Sequence, residues 1–276
     1  MIFSKSHETS IRQASRIEQA LRHADMEQEL DLAFQPIVDF DTGVPLAFEA
    51  LARWTSPTLG SVSPGDFVPV AERSGMITRM TPMLLRRALT AAASWPAGIR
   101  LSFNLSAQDL ASPEQVELLI DVIRKSGIEP SRIDLEITET AVMRDFEQAK
   151  RSLTSLNAIG VGLALDDFGT GQSSLSYVHR LPLHKLKIDR SFVVGLEEDG
   201  SSRDVVKTIL GLCRSLSLHC IVEGVETAEQ LLMLRSLGCR AGQGYYFSRP
   251  IPEEALHAYL AANDEQVPTA ALQTAG

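Results

Sequence analysis

The segment AFQPIVDFDTGVPLAFEALAR, residues 33–53, contains two β-rich runs joined by a turn-like sequence. The runs are AFQPIVDF and LAFEALAR, and the residues between them include Asp41 and Gly43, which are typical of tight turns. Parallel strands need a crossover of about a dozen residues or more, and this connection is far shorter. We therefore expect an antiparallel hairpin, with one strand running against its neighbour.

Downstream of the hairpin, β-rich runs alternate with helical patterns. The runs are IRLSFNLS (99–106), IDLEIT (133–138), VGLALDDF (161–168), HKLKID (184–189), LHCIVEGV (218–225) and CRAGQGYYF (239–247). Helical periodicity occupies residues 78–93, 113–126, 146–159, 173–179, 203–216 and 227–237, and Pro252 is suited to open a last helix. Eight strands in this order predict an α/β fold, a (β/α)8 barrel. An open doubly wound sheet expects GxGxxG after its first strand, and FQPIVDFDTG has no such pattern.

Composition and charge exclude several classes of protein. The chain has 276 residues, 44% of them hydrophobic, and a formal net charge of −9, so we expect a folded protein that does not bind polymeric nucleic acid. No apolar run approaches the ~20 residues of a membrane span, and the start MIFSKSHETSIRQ lacks the apolar region of a signal peptide. The three cysteines, Cys213, Cys220 and Cys239, form no CxxC pair, which favours reduced thiols in a cytoplasmic protein.

The two ends of the chain differ from the rest. Residues 1–25 carry apolar side chains at helical spacing, among them Ile11, Ile17 and Leu21, and predict an amphipathic helix that needs a partner surface. Residues 263–276 are polar and small without a period, and we expect a disordered tail. The barrel is assigned to residues 26–262 between them.

Polar side chains occur at or near the carboxyl end of seven successive strands. They are Glu49, Asn104, Glu136, Asp166 with Asp167, Lys187, Glu223 and Gln243. Any one of them alone would be read as a solvated or capping residue. Together they would meet at one face of a barrel, where active sites are built.

Carboxylates clustered in one mouth repel each other and need cations to offset their charge. Because the available ligand atoms are oxygens, they favour hard divalent ions such as Mg²⁺ or Mn²⁺, and the absence of histidine at these positions argues against zinc. Asp166 and Asp167 could flank two ions, as in two-metal phosphoryl displacement. The glycines of DDFGTGQSS (166–174) indicate either an ordinary turn or a mobile loop that gates this site, and Ser173 and Ser174 could cap the next helix.

These motifs resemble those of the EAL domain, the family of cyclic-di-GMP phosphodiesterases. The matching motifs run in family order: FQPIV (34–38), EALAR (49–53), NLS (104–106), EITET (136–140), DDFGTG (166–171), KIDRSFV (187–193), EGVET (223–227) and QGYYFSRP (243–250). Gln172 stands where many relatives have an aromatic residue, and Val222 where alanine is common. The resemblance implies a TIM-like barrel with one antiparallel strand, in agreement with the predicted hairpin.

The resemblance also implies roles for the residues at the strand ends. Glu49, Asn104, Glu136 and Asp166 would hold one metal ion, and Asp166, Asp167 and Glu223 a second. Lys187 would hydrogen-bond the attacking water, and Glu223 would act as general base.

Other positions would bind the substrate or the loop. Gln35, Leu51 and Arg53 resemble substrate contacts, with Arg53 on a phosphate. Gln243 and Glu226 are also expected to bind substrate: Gln243 lies where the family has a glutamine near the metals and water, and Glu226 resembles a supporting carboxylate. Glu139 resembles the glutamate that holds the gating loop, residues 168–174.

The implied reaction is hydrolysis of cyclic di-GMP to linear 5′-pGpG with two divalent cations, Mg²⁺ or Mn²⁺, and with inhibition by Ca²⁺. A homodimer through residues 173–180 is expected, and residues 1–25 resemble the helical linker that follows a GGDEF or sensory domain, fused or separate. Two alternatives are a module that binds cyclic di-GMP without turnover and a metabolic lyase or aldolase that uses Lys187 as a Schiff base. The retained metal ligands argue against the first, and neighbouring carboxylates, which would raise the pKa of Lys187, argue against the second.

Overall fold

The computed structural model describes residues 2–169, 175–196 and 200–264, and its strands form a closed barrel. The strands are β1 (Leu30–Asp39), β2 (Pro45–Ser56), β3 (Gly60–Val62), β4 (Arg100–Leu105), β5 (Ile133–Thr138), β6 (Gly162–Phe168), β7 (Lys185–Ile188), β8 (His219–Val222), β9 (Ala241–Gly242) and β10 (Ile251–Pro252). Their order is β10-β1-β9-β8-β7-β6-β5-β4-β2-β3, and an additional β1–β2 pairing closes the ring. The predicted (β/α)8 barrel is confirmed, with β3 and β10 as short additions outside the ring.

Strand β1 runs antiparallel to both of its barrel neighbours, β2 and β9, whereas the other barrel strands pair in parallel. The hairpin turn forms because Asp39 Oδ1 accepts hydrogen bonds from the backbone N–H groups of Asp41 and Thr42. Gly43 continues the turn at φ 72°, a value that favours glycine. The predicted hairpin is therefore confirmed, and its register places Gln35 opposite Glu49.

Helices surround the ring and follow the predicted periodicity within a few residues for most of the chain. They are α1 (Ile2–His23), α2 (Met26–Glu29), α3 (Pro64–Arg73), α4 (Ile77–Ala92), α5 (Ala107–Ala111), α6 (Pro113–Lys125), α7 (Glu139–Arg144), α8 (Phe146–Asn157), α9 (Leu175–Val178), α10 (Ser191–Val194), α11 (Gly200–Leu216), α12 (Ala228–Leu237) and α13 (Glu253–Asp264). Of the helix expected at 173–179, the structure describes α9 up to Val178, and the Ser173 and Ser174 caps lie outside the described residues. Short helices such as α5, which a Ser106–Asp109 capping box starts, were not predicted from periodicity.

The amphipathic helix α1 finds a partner surface within this chain. Ile17 and Leu21 are buried in the main hydrophobic core, and α1 packs against α3. At the other end, α13 continues to Asp264, and the rest of the predicted tail lies outside the described residues. Within the described part of the chain, no helix has the length and hydrophobicity needed to cross a membrane.

The N-terminal face of the barrel carries a buried ion-pair cluster of its own. Asp134 at the start of β5 accepts hydrogen bonds from Arg100 at 2.7 and 2.6 Å and pairs with Lys185. Burial favours a raised pKa for Asp134, but the bonds from Arg100 and the charge of Lys185 lower it overall. Gly162 leaves the room for this cluster, because a Cβ there would lie 2.1 Å from Asp134 Oδ1.

Candidate metal-dependent active site

The opposite face of the barrel brings the predicted polar residues together. The parallel registers place Asn104 beside Glu136 and Thr138 beside Asp166, so the carboxyl ends of β4, β5 and β6 lie at one level. Glu49, Glu136, Asp166 and Gln243 are buried, and Asn104 is exposed at the mouth. The side chains at these strand ends therefore line one shared site.

Lys187 lies at the centre of this site and is fully buried. Its Nζ is 2.6 Å from Glu136 Oε2 and 2.6 Å from Glu223 Oε1. It is also 3.4 Å from Glu49 Oε2 and 3.5 Å from Asp166 Oδ1. One ammonium thus contacts four carboxylates on four different strand ends.

Burial and charge shift the ionisation of these groups in opposite directions. Burial favours a lowered pKa for Lys187, yet the surrounding carboxylates raise it well above its usual range. Burial raises the pKa of Glu136 well above the ordinary carboxyl value, with the charge of Glu49 adding to the effect. Burial also raises the pKa of Glu223 to about 8, although Lys187 opposes this. When ionised, these carboxyl groups carry more negative charge than a single lysine can neutralise.

Asp166 and Asp167 are adjacent in sequence, and adjacent residues of a regular strand point to opposite faces. Here the β6–β7 register shifts between Leu165 and Phe168, and Asp167 has φ 55°. Aspartate is among the residues that tolerate this left-handed region. The irregularity lets both carboxylates face the mouth, where they and Glu223 offer oxygen atoms within 4.8 Å of one another. Burial raises the pKa of both aspartates.

Gln243 connects the two sides of the site. Its Nε2 donates to Glu49 Oε2 at 2.6 Å and to Glu223 Oε1 at 3.2 Å. These two bonds fix the orientation of the amide and leave Oε1 as a buried acceptor without a hydrogen-bond partner among the described residues. An orphaned oxygen beside clustered carboxylates is a position where a cation or its water completes the coordination.

Two further hydrogen bonds hold the carboxylates in place. Asn104 Nδ2 donates to Glu49 Oε1 at 2.7 Å. Ser102 Oγ donates to Glu136 Oε1 within the buried interior, a role that the sequence analysis missed. The signal was the two-residue spacing between Ser102 and Asn104, which places both on the same face of β4.

The residues expected to contact substrate lie around the mouth. Gln35 is buried beside Glu49, and its Nε2 donates to the Ser248 carbonyl at 3.2 Å. Leu51 is half-buried. Arg53 is half-buried too, and its guanidinium donates to the Ala52 carbonyl at 2.9 Å.

Glu226 and Glu139 lie apart from the Lys187 cluster. Glu226 is exposed, and its Oε1 is 3.9 Å from the Arg190 guanidinium. Arg190 also packs closely against Gly224, where a Cβ would lie 2.3 Å from the Arg190 Cβ. Glu139 begins α7 and is buried, where it lines a small cavity with Leu165 and Phe168. The remainder of the expected gating loop, residues 170–174, lies outside the described residues.

The donor set fits a hard divalent metal. Four carboxylates, those of Glu49, Glu136, Asp166 and Glu223, face one ammonium, and Asp167 lies beside Asp166 and Glu223. The amides of Asn104 and Gln243, which donate to Glu49, each bring an oxygen as a further potential ligand. If all five carboxylates were ionised, two divalent cations would balance the excess charge. Oxygen ligands of this kind suit Mg²⁺ and Mn²⁺ better than zinc or copper.

Comparisons with known proteins agree with this geometry. The family profile described as EAL domain matches residues 18–250. The chain is 41% identical over 262 residues to an uncharacterized signaling protein of Caulobacter vibrioides, covering 95% of this chain and 32% of that protein. It is 37% identical over 264 residues to the cyclic di-GMP phosphodiesterase NbdA of Pseudomonas aeruginosa, covering 94% of this chain and 34% of that protein.

A solved structure gives the same result at the level of the fold. The PaMucR phosphodiesterase in its c-di-GMP complex superposes with a TM-score of 0.82 at 38% identity, over 87% of this chain and 99% of that chain. The chain spans about a third of the length of the two curated relatives. Because the family profile covers most of the barrel, the chain belongs to the EAL domain family.

Proposed function

We propose that this protein hydrolyses one phosphodiester bond of cyclic di-GMP to give linear 5′-pGpG, and so lowers the level of this second messenger in bacterial signalling. The observation that carries the proposal is the cluster of five carboxylates at the carboxyl ends of the barrel strands, four of them in contact with Lys187. The names of the relative NbdA and of the PaMucR complex support the choice of substrate.

The EAL domain family is metal-dependent, and the acidic cluster of this chain supports two divalent cations, Mg²⁺ or Mn²⁺. In this proposal Asp166, Asp167 and Glu223 would hold one ion, and Asp166 would also serve a second site. Glu49, Asn104 and Glu136 complete that second site. When bound, such ions lower the pKa of water and stabilise the charge that develops on the phosphate.

Lys187 and Glu223 act on the attacking water. The Lys187 ammonium, held between Glu136 and Glu223, orients the water oxygen toward phosphorus. Glu223, whose Oε1 lies 2.6 Å from the Lys187 ammonium, accepts the proton of that water once its carboxyl group is ionised. The new bond joins the water oxygen to phosphorus, the bond from phosphorus to the 3′ oxygen breaks, and the 3′ oxygen takes up a proton.

Residues at the mouth bind the substrate. Arg53 contacts a phosphate through charge-assisted hydrogen bonds after leaving the Ala52 carbonyl. Gln35 and Leu51 contact the rest of the nucleotide, and Gln243 and Glu226 complete the lining. The cationic Arg53 and the metal ions explain how a protein of net charge −9 accepts a dianion.

The Schiff-base alternative conflicts with the position of Lys187. A nucleophilic lysine needs a lowered pKa, and the carboxylates here raise it. The binding-only alternative is an outcome of the experiment below.

The experiment is incubation of the protein with cyclic di-GMP and Mg²⁺ or Mn²⁺, followed by chromatography of the products. We expect pGpG with either ion, little product with Ca²⁺ because of its looser geometry, and none with excess chelator. Glu223→Gln should lose most turnover, while Glu229→Gln, a change at an exposed glutamate of α12, should retain it. Binding of cyclic di-GMP without any pGpG from the folded wild-type protein would overturn the proposal in favour of a binding module.

We also propose that the protein is cytoplasmic and forms a homodimer through residues 173–180, with a GGDEF or sensory domain, fused or separate, as a further partner. The coverage of about a third of the curated relatives supports a neighbouring domain in those proteins. Sedimentation at micromolar protein concentration tests the dimer, and a strictly monomeric profile would contradict it.

A further inference from the structure

A cavity of about 1050 Å³ opens at the N-terminal face of the barrel, opposite the carboxylate site. Its lining includes the first residues of four parallel strands, Arg100, Gly162, Lys185 and His219, together with Asp39 at the end of antiparallel β1. Small-molecule sites in proteins occupy about 300–1,000 Å³. The cavity is therefore large enough for a small organic ligand, and the proposed hydrolysis does not use it.

Basic groups outnumber acidic ones in this cavity. Asp134 is already paired with both Arg100 and Lys185, and Asp39 Oδ1 is occupied by the hairpin turn. Two more lining residues, Arg214 and Arg240, are exposed, and their guanidinium groups make no hydrogen bond or ion pair with the described residues. In a chain of net charge −9, this local excess of positive charge favours an anionic ligand.

Helix ends account for only part of this charge. Arg214 lies in the last turn of α11, where a cation offsets the helix dipole. Arg100 and Lys185 lie on strands, and Arg240 follows α12 by three residues, so the helix-dipole explanation does not apply to them.

The floor of the cavity is aliphatic. Ile37, Ala47 and Ile221 form a small apolar cluster separate from the main core, and the exposed side chain of Leu46 extends this surface. The described lining contains no phenylalanine, tyrosine or tryptophan on which a nucleobase could stack. An aliphatic body therefore fits this floor better than a purine.

A neutral donor completes the lining. His184 Nδ1 accepts a hydrogen bond from the Leu163 backbone N–H at 3.1 Å. When the ring is neutral, its proton is therefore on Nε2, which is a donor. His219 is exposed beside it.

We propose that this cavity binds a free small molecule that carries an anionic head group on an aliphatic chain, such as an alkyl phosphate. The head group contacts Arg214 and Arg240, and the chain covers Ile37, Ala47 and Ile221. This binding is independent of the proposed phosphodiesterase activity.

The test uses n-octyl phosphate below its micellar concentration as the probe and follows the imidazole ¹H–¹³C NMR signals of the six histidines. We expect saturable shifts for His184 and His219, and none for His23 or His257. Inorganic phosphate and neutral octyl glucoside should each bind at least about tenfold more weakly, since each lacks one half of the recognition.

Matched variants locate the binding. The double variant R214A/R240A should weaken octyl phosphate binding about tenfold or more, whereas R79A/R124A, which removes two exposed arginines elsewhere, should not. The single variant R240E is tested beside the double variant R214A/R240A. Circular dichroism checks that every variant is folded. The proposal would be overturned if octyl phosphate did not move the His184 and His219 signals, or if octyl glucoside bound as tightly as octyl phosphate. It would also be overturned if R214A/R240A bound octyl phosphate as tightly as the wild type. So would co-sedimentation with phosphatidic-acid vesicles without any effect of free octyl phosphate, which would indicate a membrane surface instead.

Discussion

Lys187 Nζ and Glu136 Oε2 lie 2.6 Å apart, and both side chains are fully shielded from solvent. A buried pair of this kind is costly to break from one side, because the remaining charge is left without a partner or water. Here the consequence is larger than for an isolated pair, since the same ammonium also contacts Glu223 at 2.6 Å. Lys187 is thus a structural counter-charge as well as a proposed catalytic group.

Replacing Lys187 by methionine should therefore lower stability as well as turnover. The change keeps most of the side-chain volume but leaves Glu136 and Glu223 buried without their cation, and we expect a loss of about 3–5 kcal/mol in the free energy of unfolding. Thermal unfolding with and without Mg²⁺ measures it, and the metal should raise the Tm of K187M more than that of the wild type. Lys207→Met, at an exposed lysine, is the control. An equal Tm for K187M and the wild type would contradict the role of Lys187 as a structural counter-charge.

Metal binding should release protons at neutral pH. Since the folded-state pKa of Glu223 is raised to about 8, this carboxyl is largely protonated at pH 7 and must ionise to bind a cation. A raised carboxyl pKa also means that stability falls as the pH rises from about 4.5 toward about 8 without metal, because the folded state holds more protons than the unfolded state. Calorimetric Mg²⁺ titrations in buffers of different ionisation enthalpy should show the release at pH 7 and its decline above pH 8. A Glu223→Gln variant should release fewer protons.

Glu49 and Glu139 should differ in how their loss affects metal binding. Glu49→Ala removes a group that directly faces Lys187 and Gln243, so high metal concentration should recover little activity. Glu139→Ala leaves those contacts in place and is expected to act through the loop beside Phe168, with reduced kcat, weakened metal affinity and residual binding of cyclic di-GMP. Metal titrations and measurements of cyclic di-GMP affinity on both folded variants distinguish the role of Glu49 from that of Glu139. Full rescue of Glu49→Ala by metal would remove it from the ligand set.

Gly162→Ala should destabilise the barrel from the face opposite the site. The new Cβ would lie 2.1 Å from Asp134 Oδ1 and 2.9 Å from an Arg100 nitrogen, so the buried ion pair must shift. We expect a loss of about 2–4 kcal/mol in denaturant unfolding. Gly98→Ala is the matched control, because no heavy atom lies within 4 Å of its added Cβ. A stability of Gly162→Ala equal to that of the control would show that the cluster adapts freely.

The sequence was sufficient for the features that depend on local pattern. The Asp39–Gly43 turn and the alternation of strands with helices predicted the barrel, and polar residues inside apolar runs predicted the members of the site. Other features depend on backbone contacts that no local pattern reveals. The run CRAGQGYYF keeps strand pairing only at Ala241–Gly242, because Gly244 then packs directly on the Val225 backbone.

The functional site likewise has features that the local sequence pattern predicts and features that depend on how the strands pair. The bulge that turns Asp166 and Asp167 toward one mouth is a property of the β6–β7 register, and the sequence of β6 alone gives alternating faces. The hydrogen bond from Ser102 to Glu136 requires knowing that β4 and β5 are neighbours. Such residues become visible only when strand order is known.

The ring is completed by contacts between the two ends of the barrel sequence. Gln243 and Glu49 are 194 residues apart, and β1 joins β9 through only two residue pairs, Val38 with Gly242 and Asp39 with Ala241. Contacts over such a separation are slow to form, because most of the chain must first be in place. A nascent chain that ends before Gly242 would leave one edge of β1 unpaired and open to association with other strands. During synthesis, therefore, the active site and protection of this strand edge arise together, in the final stage of assembly.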